Sequence, residues 1–524
     1  MSPSGHRVFV CALEDILEGA GACALVGGEQ LALFRIGDEI FALENHDPWS
    51  GANVIARGIV GDLLGQLVVA SPVYKQHFNL RTGRCLEDES VALRHWPCGV
   101  LDGRVWVERT LTPVSRTGSG RRRLVVIGNG MAAMRTVEEL LADAPDTYDI
   151  TIFGAEPRGN YNRILLSPLL SGELERTQIE LHSLQWYADR GITLHIGDPV
   201  VSVDRRQRRV MSASGIVAEY DRLLLATGSD PVRLKVPGQG LAGVFYFRSL
   251  DDVDGMIAAV GGAHRAVVIG GGLLGLEAAT GLRRQGLDVT VVHIRDRVMD
   301  RQLDDEAASF LRQSMEARGI DFRLGARTQS LVGDVRVEKV LLEDGSTLEA
   351  QLVVIAAGTR PRTDLARDCG LHCDRGILVD DTLQTFDPAI YAVGECVQHR
   401  GMTYGLVAPL WEQARVCAAH LAERGVSRYR GSSPAAQLKV TGIDVFSAGA
   451  INDINGAESI RYCDRGGGIY KRLWIRGNRM QAAILYGDTR SAAWYADLIE
   501  NQRDVSDLRH SLLLEDAPRA GAMS

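Results

Sequence analysis

The sequence predicts a multidomain α/β protein: an N-terminal all-β domain, two nested three-layer α/β units and a C-terminal α+β domain. Three observations lead there. Residues 6–110 alternate apolar and polar side chains with period two between glycine turns, the pattern of half-buried strands. Two stretches, Arg123–Ile127 and Arg265–Ile269, run from a buried apolar strand through a glycine turn into a small-residue helix, and strand–helix alternation between them implies parallel sheets. Near residue 430 the pattern returns to strands with one or two helices.

The β-domain is read at 1–110, with strands such as Ala32–Ile36, Glu39–Leu43, Leu67–Ala70 and Val105–Val107 and turns at Gly27-Gly28, Gly37-Asp38 and Asp102-Gly103. A Ser/Thr/Gly/Arg linker follows at 111–122. The first α/β unit takes 123–240 and 362–428, because the second, 241–361, is nested inside it. The C-terminal domain is read at 429–510 and a small, polar tail at 511–524.

A net charge of −8 and a pI near 5.9 disfavour nucleic-acid and anionic-membrane partners. The basic runs Arg121–Arg123 and Arg205–Arg209 are read as solvated loop charges. No run approaches the ~18 apolar residues that cross a bilayer. The first residues lack a secretory h-region, and nine cysteines lie scattered without a disulfide rhythm, so a cytoplasmic, reducing location is expected.

The first turn is Gly128-Asn129-Gly130-Met131-Ala132-Ala133. Gly128 permits the tight bend, Gly130 lets backbone approach a diphosphate, and Ala133 lets helix and strand pack closely. Phosphate charge then meets the helix N-terminus. After the second strand, Asp149–Phe153, Glu156 is placed to accept from a ribose hydroxyl. The second turn, Gly270-Gly271-Gly272-Leu273-Leu274-Gly275, repeats the pattern with Gly270, Gly272 and Gly275 in the three roles, and Glu277 follows on the helix. Its second strand, Asp288–Val292, ends on His293 with Arg295 behind it, where an acid is the usual mark of NAD and Arg accommodates a 2′-phosphate. NADH and NADPH both stay open. Two such turns fit one Rossmann-like site for FAD and one for NAD(P).

Further segments give a resemblance to the flavoprotein disulfide-reductase superfamily with two dinucleotide-binding domains. Leu225–Ser229, with Thr227 and Gly228, and Ile355–Pro361, with Gly358, look like its two crossover segments. Ala389–Glu395 resembles its second FAD signature, in which Gly394 and the terminal acid, Glu395 here, contact the cofactor. Tyr161-Asn162-Arg163-Ile164-Leu165-Leu166-Ser167-Pro168 is similar to the Y-x-R-x-x-L-S stretch of assimilatory nitrite reductase large subunits and of ferredoxin and rubredoxin reductases. Pro168, Gly405–Gln413, Leu438–Val445 and Ala482–Thr489 point to the nitrite reductase branch. The N-terminal domain resembles the Rieske-type small subunit of the same enzymes through Val69–Phe78 and Leu80–Asp88. Asn45, Asp47, Ser71 and Tyr74 stand where two thiolates and two imidazoles would hold a [2Fe–2S] cluster, so a clusterless fold is expected.

No Cys lies between Cys98 and Cys369, which leaves no disulfide or low-pKa thiolate beside a flavin. No metal site is expected: Cys369 and Cys373 lack clustered partners, and the thiolates of the relatives' iron–sulfur and sirohaem regions are absent. The resemblance implies an FAD-dependent NAD(P)H oxidoreductase that passes electrons to an iron–sulfur protein or a sirohaem- or molybdenum-containing reductase in nitrate or nitrite assimilation. Arg163 and Glu277 are the candidates at the flavin–nicotinamide contact, with a solvent-facing Glu277 as the rival reading. Alternative functions are a ferredoxin or rubredoxin reductase and a nucleotide-binding scaffold without turnover. A homodimer is compatible with each.

Overall fold

The computed structural model describes residues 6–26, 29–63, 65–88, 91–109, 121–423, 427–432, 435–440, 442–451, 454 and 456–513. The Gly27-Gly28 turn, residues 111–120 of the expected linker and residues 514–524 of the expected tail lie outside these residues.

The N-terminal domain stacks three antiparallel sheets: His6–Ala12 with Arg104–Arg109 and Cys98–Leu101; Gly21–Val26, Glu29–Ile36, Glu39–Glu44 and His95–Trp96; and Ile59–Leu63, Gln66–Ala70 and His77–Asn79. Strand Glu29–Ile36 is buried on both faces. Ala32 and Phe34 pack with Phe41, Val69 and Phe78, whereas Leu31 and Leu33 pack with Ile16, Val105 and Val107. The pleat sends alternate residues to opposite sides, so one strand feeds two cores.

The first α/β unit is a five-stranded parallel sheet in the order Thr193–His195, Tyr148–Phe153, Arg122–Ile127, Arg222–Leu225, Ile390–Ala392. Its last strand arrives only after the second unit has been completed. The second unit repeats the plan as Val244–Tyr246, Leu352–Ile355, Arg265–Ile269, Asp288–His293, Ile320–Leu324, also parallel. Ser229–Pro231 and Thr359–Pro361, the two connections between the units, pair antiparallel as a two-stranded bridge. The glycine turns therefore stand at the carboxyl ends of two similar sheets tied together at their crossover.

The C-terminal domain is a five-stranded antiparallel sheet in the order Ala435–Val440, Ile443–Gly449, Arg479–Tyr486, Ile469–Arg476, Glu458–Asp464. Helix Ala492–Glu500 covers one face through Tyr495 and Leu498. Val445, Tyr470 and Ile484 on the other face share a core with Leu311 and Met315 of the second unit. Ordered packing runs past residue 511, because Leu512 is buried and its carbonyl accepts from the Tyr495 hydroxyl.

The basic runs require a correction: they are not simply solvated. Arg122 and Arg123 open a strand; Arg122 pairs with Glu423 at 2.5 Å and Arg123 with Asp221 at 3.1 Å. Arg205 donates to Asp387 at 2.9 Å. Carboxylates from distant segments meet these cations, which local sequence does not reveal.

Candidate functional site between the two glycine turns

At the first turn Gly128 has φ 115°, and a Cβ there would overlap the carbonyl oxygen of Ala226. Only glycine fits. Gly130 caps helix Met131–Asp143, and a Cβ on it would meet nothing within 4 Å. Open space thus lies in front of a helix N-terminus, the place for phosphate oxygens. Ala133 is fully buried beneath the turn. Around this cradle, among the described residues, the amide nitrogens of Asn129, Asn160 and Gln413 are buried without a protein partner. Their oxygens are engaged: the Tyr187 hydroxyl donates to Asn129 at 3.0 Å, and the Gly394 N–H donates to Gln413 at 2.9 Å. Orphaned donors are rare in a folded interior. Three of them around one cradle fit a ligand rich in acceptors, as FAD is.

The expected Glu156, Arg163 and Glu395 come together, joined by a residue that was not expected. Glu156 accepts from the Tyr161 hydroxyl at 2.9 Å and pairs with Arg163. Arg163 donates to the backbone carbonyl of Arg248 at 2.9 Å, and the Arg248 guanidinium pairs with Glu395. Ser229 adds a hydroxyl donor to Glu395 at 2.7 Å. Two acids flank two bases along this chain, so charge is balanced where the two units meet. Arg248 directly precedes the capping box Ser249 to Asp252 of helix Leu250–Val260. Its sequence context reads as an ordinary helix start, so no local signal marks it. Thr227 donates to the Arg362 carbonyl at 2.7 Å, and positive φ at Gly228 and Gly358 makes the crossover segments tight turns, as it does at Gly394 beside Glu395.

At the second turn Gly270 has φ 130°, and a Cβ there would strike the Ala356 carbonyl. Gly272 caps helix Leu273–Arg284 and again faces open space. Gly275 sits tighter than its counterpart Ala133, because a Cβ on it would overlap the carbonyl oxygen of Gly270. Glu277 is not solvent-facing. It accepts from the Ser167 hydroxyl at 2.6 Å, and burial pushes its carboxyl up to about 7. Ser167 lies one turn beyond Arg163, so the two catalytic candidates flank one short stretch of chain.

His293 does not stand free for a ribose. The Gly271 N–H donates to His293 Nδ1 at 3.0 Å, and His293 Nε2 lies 3.2 Å from Asp300 Oδ1. Both ring nitrogens are committed to the protein. The Arg295 side chain, 69% exposed, has its Nε 3.9 Å from the other Asp300 oxygen.

In the N-terminal domain the four cluster positions do not suit a [2Fe–2S] centre. Asn45 and Asp47 are buried, and Ser71 donates its hydroxyl to Asp47. Asp47 also accepts from the backbone of Trp49 at 2.9 Å and Ser50 at 3.1 Å, while Asn45 accepts from the Ala56 N–H at 2.8 Å. Tyr74 is exposed. Own side chains fill and satisfy the space. All nine cysteines are free, and burial is the largest influence raising each thiol above its ordinary value, Cys98 and Cys373 to about 11. Among the described residues no three His, Cys, Asp or Glu side chains are placed to hold a metal, and no helix is long and apolar enough to cross a membrane.

Comparison with known proteins gives three matching family models: pyridine nucleotide-disulphide oxidoreductase over residues 122–420, Rieske-like [2Fe-2S] domain over 7–108, and rubredoxin NAD+ reductase C-terminal domain over 434–503. A nitrite reductase [NAD(P)H] of Bacillus subtilis is 45% identical over 396 residues, covering 76% of this chain and 49% of that protein. The assimilatory nitrate reductase electron transfer subunit of the same organism is 42% identical over 393 residues, covering 75% of this chain and 51% of its own length. This chain thus spans about half the length of these curated relatives. Among solved structures, the covalent putidaredoxin reductase–putidaredoxin complex is similar, with a TM-score of 0.68 at 26% identity over 73% of this chain and 94% of that one.

Proposed function

From the premise that this chain belongs to the pyridine nucleotide-disulphide oxidoreductase family, with a Rieske-like domain at its N-terminus, we propose that it is an FAD-dependent NAD(P)H oxidoreductase that passes electrons to an iron–sulfur partner in nitrate or nitrite assimilation. One observation carries the reading: two open helix N-termini, capped by Gly130 and Gly272, belong to sheets joined at a charge-balanced seam without a reactive thiol.

FAD, when bound, supplies the ability to accept a hydride from a reduced nicotinamide and to give up electrons singly. The chain's task is then placement. Gly130 and the helix behind it receive one diphosphate, with Asn129, Asn160 and Gln413 offering their unpaired amides nearby. Glu395 takes hydroxyl groups of the ribityl chain, held in position by Ser229 and Arg248. Gly272 receives the diphosphate of the nicotinamide nucleotide. Glu277, fixed by Ser167, is the candidate for the contact between the two ligands, where its carboxyl, pushed up to about 7 by burial, would donate to or accept from a carboxamide. Arg163, paired with Glu156, would keep positive charge beside the bound cofactor.

Anaerobic titration tests the reading. The purified protein is expected to be yellow and to bleach with NADH or NADPH, then to reduce ferricyanide and an iron–sulfur reductase partner. Absence of bleaching with either nucleotide rejects it and leaves a non-catalytic scaffold. A second reading, a ferredoxin or rubredoxin reductase, is favoured by the match of residues 434–503 to a rubredoxin reductase domain. Faster turnover with rubredoxin or ferredoxin than with the nitrate or nitrite reductase partner would select it.

A further inference from the structure

We propose that Asp300 is the acid that makes this chain select NADH over NADPH, carried to the second glycine turn by His293. The inference rests on the reading above that the reduced nucleotide lies on that turn. The strand Asp288–His293 ends in imidazole where an acid is the usual ribose acceptor. Because the Gly271 N–H donates to His293 Nδ1, the ring hydrogen resides on Nε2 and points at Asp300. The imidazole is therefore a rigid spacer with a carboxylate at its far end. A second bond anchors the same segment: the Met299 N–H donates to the Gly271 carbonyl at 2.8 Å. Met299 holds φ 49°, a left-handed conformation that residues with a side chain rarely adopt. Gly271 is thus gripped through both its N–H and its C=O by the residues that deliver Asp300.

The nearby cations point the same way. Arg295 faces Asp300, and Arg297 donates to Asp305 at 2.9 Å and to the Asp300 carbonyl at 3.4 Å. Arg295 and Arg297 are thus opposed by aspartates, while Arg301, directly after Asp300, is exposed. The Asp300 side chain is 28% exposed, enough to meet a ligand. Ribose hydroxyls donate to such a carboxylate, whereas a 2′-phosphate dianion is repelled by it. Asp300 is the specificity residue and His293 its positioning residue.

The test uses the holoenzyme, with kcat/KM for NADH and NADPH measured beside the affinities for NAD+ and NADP+ by titration calorimetry. Wild type is expected to favour NADH by at least about tenfold, and Asp300→Asn to lower that ratio at least about tenfold through a gain with NADPH, matched by tighter NADP+ binding. A wild type that prefers NADPH, or an Asp300→Asn variant that bleaches with NADH at an unchanged ratio, overturns the proposal while leaving the oxidoreductase reading intact. Wild type that bleaches with neither nucleotide overturns both. Should Asp300→Asn lose its flavin, Arg295→Ala decides: NADPH use within about threefold of wild type supports the proposal, and a larger loss overturns it by making Arg295 a phosphate ligand.

Discussion

Five residues beyond the capping glycine, the first turn carries Arg135 and the second carries Glu277, and the two meet opposite surroundings. Arg135 lies on the surface of its helix, paired with Glu138 at 3.6 Å and with Glu139. Glu277 is turned inward onto Ser167 of the other unit. Three residues beyond the cap the contrast is between Ala133, which fits, and Gly275, where a methyl would strike the Gly270 carbonyl. Beyond the second strand it is between Glu156, an acid tied to Tyr161 and Arg163, and His293, an imidazole tied to Gly271 and Asp300. The backbone motif is one and the same. What differentiates the two sites is where side chains from outside the motif reach it.

Substitution at the caps should break the equivalence most completely. A Cβ at Gly130 meets no protein atom within 4 Å, so Gly130→Val should fold by circular dichroism yet purify colourless. Gly272→Val should keep its flavin and bleach with NADH at least about a hundredfold more slowly in stopped flow. If both variants keep flavin and full bleaching rate, the open spaces are not ligand sites.

A smaller effect separates Glu277 from Arg135. The folded carboxyl titrates at about 7, above the ordinary 4.5, so between those values the native protein holds a proton that the unfolded chain has released. Stability attributable to this group therefore falls as pH rises from 4.5 to 7, and the full cost, at most about 3 kcal/mol, persists above 7. Glu277→Gln should raise the melting temperature at pH 8 and leave it unchanged at pH 4.5. An equal gain at both pH values would mean that packing, not ionisation, is responsible. Arg135→Gln should shift melting by less than about 0.5 kcal/mol at either pH.

Gly275→Ala should cost about 2 kcal/mol in chemical denaturation through overpacking against backbone, and Ala133→Gly about 1 kcal/mol through helix propensity. Equal values would show that the two turns are packed alike. Ser71→Ala should cost about 1 kcal/mol of local stability in the N-terminal domain and leave bleaching by NADH unchanged.

Much of this was legible in sequence because glycine turns must be local: Gly128 and Gly270 take backbone conformations that exclude a side chain, and Gly130 and Gly272 keep the space before a helix open. The nesting of one unit in the other was also legible, since the same strand–turn opening occurs twice. Arg248 and Asp300 were not. Arg248 acts across a gap of 147 residues on Glu395, and its neighbours spell only a helix cap. Asp300 reaches its place through a left-handed Met299 and a bond to an imidazole, neither of which leaves a periodic trace. The two basic runs misled for the same reason, as their acidic partners come from elsewhere in the chain.

The bond between Ser71 and Asp47, with Asn45 beside it, has a consequence for how this molecule is made. A Rieske-like fold that closes its own mouth with hydrogen bonds waits for no assembly machinery, and a strong chelator should leave its melting untouched. Under iron limitation the N-terminal domain should therefore reach the same melting temperature as it does under iron-replete growth.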